Sequence, residues 1–136
     1  MIYLASPYSH PDAIIRERRF RAACRVAARL IRSGEVVFSP VAHGHAISLY
    51  GVPTDWSFWE AHDRRFLELC DEVVVLMLAG WLASVGVAAE IETAKEQNKP
   101  VRYLDAGSLA NVGHGGISRS DRMGQIHQRG DGERAG

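Results

Sequence analysis

Cysteine is nearly absent from this chain: Cys24 and Cys70 are the only two, with no CxxC pair and no dense spacing. That excludes a disulfide-stapled scaffold and fits free thiols in a reducing cytoplasm. Lysine is as scarce, at Lys95 and Lys99 alone, and the remaining cations are arginines, seven of them between Arg16 and Arg32. Acids and bases balance at 16 each, so no global field favours nucleic acid or a membrane surface. No stretch of 18 or more apolar residues occurs, and no basic leader with a long apolar core precedes Ile2-Tyr3-Leu4-Ala5, so a cytosolic location is expected. GxGxxG and GxxxxGK[ST] are missing too, which leaves a dinucleotide fold and a P-loop NTPase poorly supported.

What is present alternates. Met1–Ala5 is a short apolar strand stopped by Ser6-Pro7. Pro11-Asp12 suits a helix start, and Ile15, Ala22, Ala23, Val26, Ala27 and Leu30 recur at helical spacing up to Ser33-Gly34. Val36–Phe38 is a second strand closed by Pro40. Val41–Asp55 reads as a long loop broken by Gly44, Gly51 and Pro53. Trp56–Cys70 is the next helix. The continuous run Val73–Leu78, within the strand Glu72–Leu78, suits a strand buried on both faces. After Ala79-Gly80, Ser84 caps a helix to Asn98, and Pro100 opens a last strand, Val101–Leu104. This order predicts a three-layer α/β/α domain over residues 1–105, with a parallel flavodoxin-like or Rossmann-like sheet in strand order 2-1-3-4. Eight of the 13 glycines fall after Asp105, so residues 106–136 are expected to be a flexible tail.

Two carboxylates call for explanation. Glu90 lies on the inward stripe marked by Val87, Ile91 and Ala94; it either serves a site or sits at the stripe's edge and pairs with an arginine. Asp63 has Trp59, Phe66, Leu67 and Cys70 as its helical neighbours, so it either reaches a pocket or caps and pairs internally. Two such acids at one crevice are what glycosyl chemistry through a covalent intermediate requires. Ser6, Tyr8 and Ser9 follow the first strand, where they hold a sugar or phosphate or simply form a polar turn. His43-Gly44-His45 and His62 carry too weak a pattern for a metal site. The arginine-rich helix reads as a solvated face rather than a nucleic-acid surface. Trp56, Trp59 and Trp81 read as core or pocket wall, with Trp81, in the turn after the third strand, the best candidate to line a ligand cleft.

Three motifs, IYLASPYS (Ile2–Ser9), DRRFLELCDEVVVL (Asp63–Leu76) and GWLASVGVAAE (Gly80–Glu90), resemble the nucleoside 2-deoxyribosyltransferase-like superfamily, in a branch of small bacterial and phage proteins. The similarity covers Met1–Leu104. It implies that Glu90 matches the nucleophile that attacks C1′ of a 2-deoxynucleoside, and Asp63 the carboxylate that contacts or protonates the leaving base. Tyr3 or Tyr8 would match the first-strand tyrosine. Ser6 and Ser9, with Gly80, Trp81 and Gly86 of the third motif, would hold the substrate. Ser84 stands where transferases acting on nucleosides carry Asp, whereas related hydrolases of deoxynucleoside 5′-monophosphates carry a phosphate-contacting Ser.

The expected activity is therefore cleavage or transfer of the N-glycosidic bond of a 2′-deoxynucleotide or related nucleotide, through a glutamyl-sugar intermediate. Arg16 or Arg19, near the first helix start, would bind phosphate. This chemistry needs neither metal nor organic cofactor. The expected partners are the nucleoside or nucleotide substrate and further copies of the chain, since relatives assemble as homodimers or larger, with no nucleic acid and no membrane. The alternatives are a non-catalytic nucleotide-binding module and a nucleotide-sugar or sugar-phosphate enzyme on the same scaffold.

Overall fold

A computed structural model of the chain describes residues 1–107. Four strands, β1 (Ile2–Ala5), β2 (Val37–Phe38), β3 (Glu72–Leu76) and β4 (Val101–Leu104), form one parallel sheet in the order β2-β1-β3-β4. Four helices accompany them: α1 (Ala13–Arg32), α2 (Pro40–Ser48), α3 (Trp56–Leu69) and α4 (Val85–Glu96). The fold is the three-layer α/β/α arrangement with flavodoxin-like strand order that the alternation of elements predicts. Among the described residues, no helix is long and apolar enough to cross a membrane.

The two central strands decide the layering. Side chains alternate across a strand, so Ile2, Leu4, Val74 and Leu76 face Val26 and Leu30 of α1. Tyr3, Ala5, Val73 and Val75 face the other way, onto Leu67 of α3 and Val87 and Ala94 of α4. Register pairs Tyr3 with Val73 and Ala5 with Val75, so each sheet face presents a contiguous apolar patch to its helices.

Local signals set the helix limits. Asp12, Ser39 and Ser84 each accept a hydrogen bond from a backbone N–H in the first turn of α1, α2 and α4, at 2.9, 3.1 and 3.1 Å. Gly34, at φ +101°, takes the left-handed conformation just beyond the end of α1. Lys99 Nζ donates to the carbonyls of Leu67 and Glu68 at 2.7 and 2.8 Å, closing α3 with a cation.

Some boundaries differ from expectation. β3 stops at Leu76, and Trp81–Ala83 forms a short 3-10 turn before α4. The segment expected as a long loop from Val41 to Asp55 is helical through Ser48. Ser39 as cap and Pro40 at the first helical position start α2, and burial of Val41 and His45, one turn apart, holds it against the domain. The expected tail lies, beyond Gly107, outside the described residues.

Candidate active site

At the carboxyl ends of β1 and β3 the chain departs in opposite directions, β1 through α1 to β2 and β3 through α4 to β4. Such a switch point opens a crevice in a parallel sheet. Here it is a cavity of about 330 Å³, of the size that takes a small-molecule ligand. Glu90 of α4 and Asp63 of α3 both line it, and each is only 6% exposed.

Tyr3, wholly buried on β1, donates its hydroxyl hydrogen to Glu90 Oε2 at 2.5 Å. Burial pushes the Glu90 carboxyl up to about 8; the Tyr3 hydrogen bond opposes this, and the Asp63 charge adds to it. Burial, reinforced by the Glu90 charge, holds the Tyr3 hydroxyl well above its ordinary range, so it stays a donor. Burial also raises Asp63, against the lowering influence of His62, whose Nδ1 lies 3.1 Å from Asp63 Oδ1. His62 is fixed in turn by stacking on His43 of α2, with ring centroids 5.4 Å apart and planes at 12°. Two largely buried carboxyl groups line one cavity, each made reluctant to ionise by burial, and the Asp63 charge adds to the effect on Glu90.

The remainder of the cavity is polar on the β1 side. The Ser6 hydroxyl is buried without a hydrogen-bond partner, available as donor and acceptor to a ligand. Arg19 reaches over from α1; its guanidinium donates to the carbonyls of Ser9 at 3.0 Å and Ala79 at 3.3 Å, with no carboxylate within ion-pair distance among the described residues. Gly80, at φ +92°, lets it pass, since a Cβ there would meet Arg19 Nη2 at 2.7 Å. Ser84 lines the cavity from the cap of α4; its oxygen accepts from Val87 N–H, which leaves its own hydrogen to donate.

Aromatic walls come from α3. Trp56 packs so closely on α4 that a Cβ at Gly86 would lie 3.1 Å from its ring. Trp59 is oriented by an indole N–H bond to the Pro53 carbonyl at 2.8 Å. Both line the cavity.

The expected residues thus divide. Glu90, Asp63, Ser6, Tyr8, Ser9 and Arg19 converge on the cavity, as do Gly80, Ser84 and Gly86, and Tyr3 reaches it through Glu90. Trp81 is a correction: it packs on Tyr103 and the core beneath α4 instead, because the short 3-10 turn rotates it off the crevice. Arg16 is another, being turned away to the carbonyls of His10 and Pro11. Tyr3 and not Tyr8 contacts Glu90; Tyr8 bonds His45 instead. His43 and His45 serve different partners, and no cluster of metal-ligating side chains gathers among the described residues. His45 as a cavity residue was hidden by the missed helix, which alone brings it opposite Tyr8.

No curated protein shows significant similarity to the chain. The family model described as Domain of unknown function (DUF1937) matches residues 1–106, essentially the whole described fold. The chain belongs to the DUF1937 family.

Proposed function

We propose that the chain cleaves the N-glycosidic bond of a 2′-deoxynucleotide or related nucleotide, with Glu90 as nucleophile and Asp63 as general acid. The carrying observation is the buried Glu90, held by Tyr3, in the same cavity as the buried Asp63. The resemblance of three motifs to the nucleoside 2-deoxyribosyltransferase-like superfamily supports the same roles.

Glu90 Oε attacks C1′ while the C1′–N bond breaks with its electron pair to the base, which takes a proton from Asp63. Water then attacks C1′ of the ester, returns a proton to Asp63 and frees Glu90. Burial favours keeping a proton on the carboxyl pair. Positive charge developing at the anomeric carbon draws the negative charge onto Glu90 and leaves that proton on Asp63, where the leaving base needs it. Trp56 and Trp59 provide flat apolar surface for the base. Arg19, Ser6 and Ser84 supply donors for phosphate, which favours a monophosphate over a free nucleoside and water over a second base as acceptor.

Chromatographic detection of free base across deoxy- and ribonucleosides and their 5′-monophosphates tests this reading. Release from at least one deoxynucleotide, lost in Glu90→Ala, is expected. Nucleotide binding without release, altered by Glu90→Ala in affinity alone, contradicts it and favours a binding module.

A further inference from the structure

One hydrogen-bonded chain, running from the surface of α1 to the buried His45, has no part in this mechanism. Glu17, on the outer part of α1, receives Arg21 Nε on Oε2 at 2.9 Å and faces His45 Nε2 with Oε1 at 3.0 Å. His45 Nδ1 lies 2.7 Å from the Tyr8 hydroxyl. The imidazole is nearly fully buried, stacked on Phe20 at 4.2 Å between centroids, and met edge-on by Tyr8, so it is held in one orientation. Tyr8 and His45 both line the cavity.

The direction of the chain follows from its outer end. Arg21 first, and His45 second, hold the Glu17 carboxyl below its ordinary range, so it is ionised and can only accept. His45 Nε2 must then carry the hydrogen. Where the imidazole carries that one hydrogen, Nδ1 is a bare acceptor and Tyr8 donates to it. With its hydrogen engaged on His45, the Tyr8 oxygen offers the cavity only lone pairs. A phosphate, which is all acceptor, is unwelcome there; a hydroxyl is matched. Tyr8 shares the β1–α1 turn with Ser6 and Ser9, and lines the same cavity as Trp56 and Trp59, assigned to the base.

We infer that the Glu17–His45–Tyr8 chain fixes Tyr8 as a hydrogen-bond acceptor in the cavity, and that Tyr8 thereby selects a sugar hydroxyl of the ligand. The choice of a sugar rests on the proposed function; the tautomer does not. Tyr8 is a specificity residue, and His45 and Glu17 are positioning residues acting through it.

Two measurements on the full chain test the two halves separately. Nitrogen-15 NMR of the His45 ring at neutral pH is expected to show Nε2 protonated and Nδ1 bare. Glu17→Gln, whose amide oxygen still accepts, keeps that state, and Glu17→Leu loses it. A hydrogen on Nδ1 in the parent protein, or no response to Glu17→Leu, overturns the relay. For the ligand, calorimetry in a Glu90→Gln background compares the four 2′-deoxynucleoside 5′-monophosphates with their 2′,3′-dideoxy counterparts. Removing the 3′-hydroxyl is expected to weaken binding about tenfold, and the loss to vanish when Tyr8→Phe is added. A Tyr8→Phe effect equal for all ligands, alongside Glu90-dependent base release by the parent, overturns this inference alone. Failure to bind any deoxynucleoside 5′-monophosphate, with no base release by the parent, overturns the proposed function together with the sugar assignment.

Discussion

Glu90 and Asp63 illustrate how much a single side chain inherits from its helix. An acid on an apolar stripe is costly unless something uses it, and the spacing of Val87, Ile91 and Ala94 in the sequence places Glu90 on such a stripe. Its pH behaviour follows. The folded chain keeps a proton on Glu90 up to about 8, against 4.5 for a free side chain, so folding is favoured below 4.5 and loses stability as pH rises between the two values. Glu90→Gln, which still accepts from Tyr3, should be more stable than the parent by roughly 3–5 kcal/mol at pH 8.5 and little different at pH 4.5, in urea unfolding at the two pH values. On the proposed function, activity depends on the same proton. Because the pair works with one proton, kcat/KM should fall as pH rises through about 8. Asp63→Asn should lower kcat by 10²–10⁴-fold, roughly the range for lost acid catalysis, and reverse that limb, since only ionised Glu90 is then required. A pH profile of unchanged direction in Asp63→Asn would contradict the assignment. What residue reading left open was which tyrosine meets Glu90. Two tyrosines five positions apart around Pro7 look alike in sequence, and only the sheet register separates the buried Tyr3 from Tyr8 in the turn.

Elements were legible where periodicity was long. α1, α3, α4 and the two central strands have either repeated apolar stripes or continuous β-branched runs, and they appear within a few residues of their expected limits. α2 was not, because nine residues containing Pro40, Gly44 and two histidines resemble a loop by composition. Its start signal was present in Ser39-Pro40, but the same proline also closes a strand, and only packing against α1 and α3 decides between those roles. The turn from β3 to α4 joins stability to function. Ser84→Ala removes the α4 cap and should cost about 1 kcal/mol of unfolding free energy. Gly80→Ala forces a side chain into a left-handed conformation, at roughly 1–2 kcal/mol, and displaces the Arg19 guanidinium. Gly80→Ala should therefore raise KM for a 5′-monophosphate as Arg19→Ala does, by about tenfold, the worth of one charge-assisted hydrogen bond, and leave an unphosphorylated nucleoside little affected. Equal KM changes for the two substrates would remove Arg19 from the phosphate site.

For the whole molecule, the sheet separates the supporting core from the candidate site. The face toward α1 is a plain apolar core, whereas the face toward α3 and α4 carries Tyr3 and sits beneath Glu90 and Asp63. Val74→Ala, on the first face, should cost roughly 2–3 kcal/mol in stability and leave kcat/KM unchanged below the unfolding temperature. The strand order was foreseeable because right-handed crossovers leave few topologies, and with it the crevice between β1 and β3. Which groups fill that crevice was foreseeable only for residues adjoining the central strands or on long helices. Trp56 and Trp59, on such a helix, were expected as core or pocket wall, whereas the His45 relay depends on how α2 settles against α1 and the sheet, which no local pattern encodes. The most direct measurement is intact-protein and peptide mass spectrometry after rapid acid quench with a deoxynucleoside 5′-monophosphate that loses its base. A sugar-phosphate adduct on the peptide bearing Glu90, absent from Glu90→Gln, is the predicted result; base release by the parent with no adduct at Glu90, or with the adduct on another residue, would contradict it.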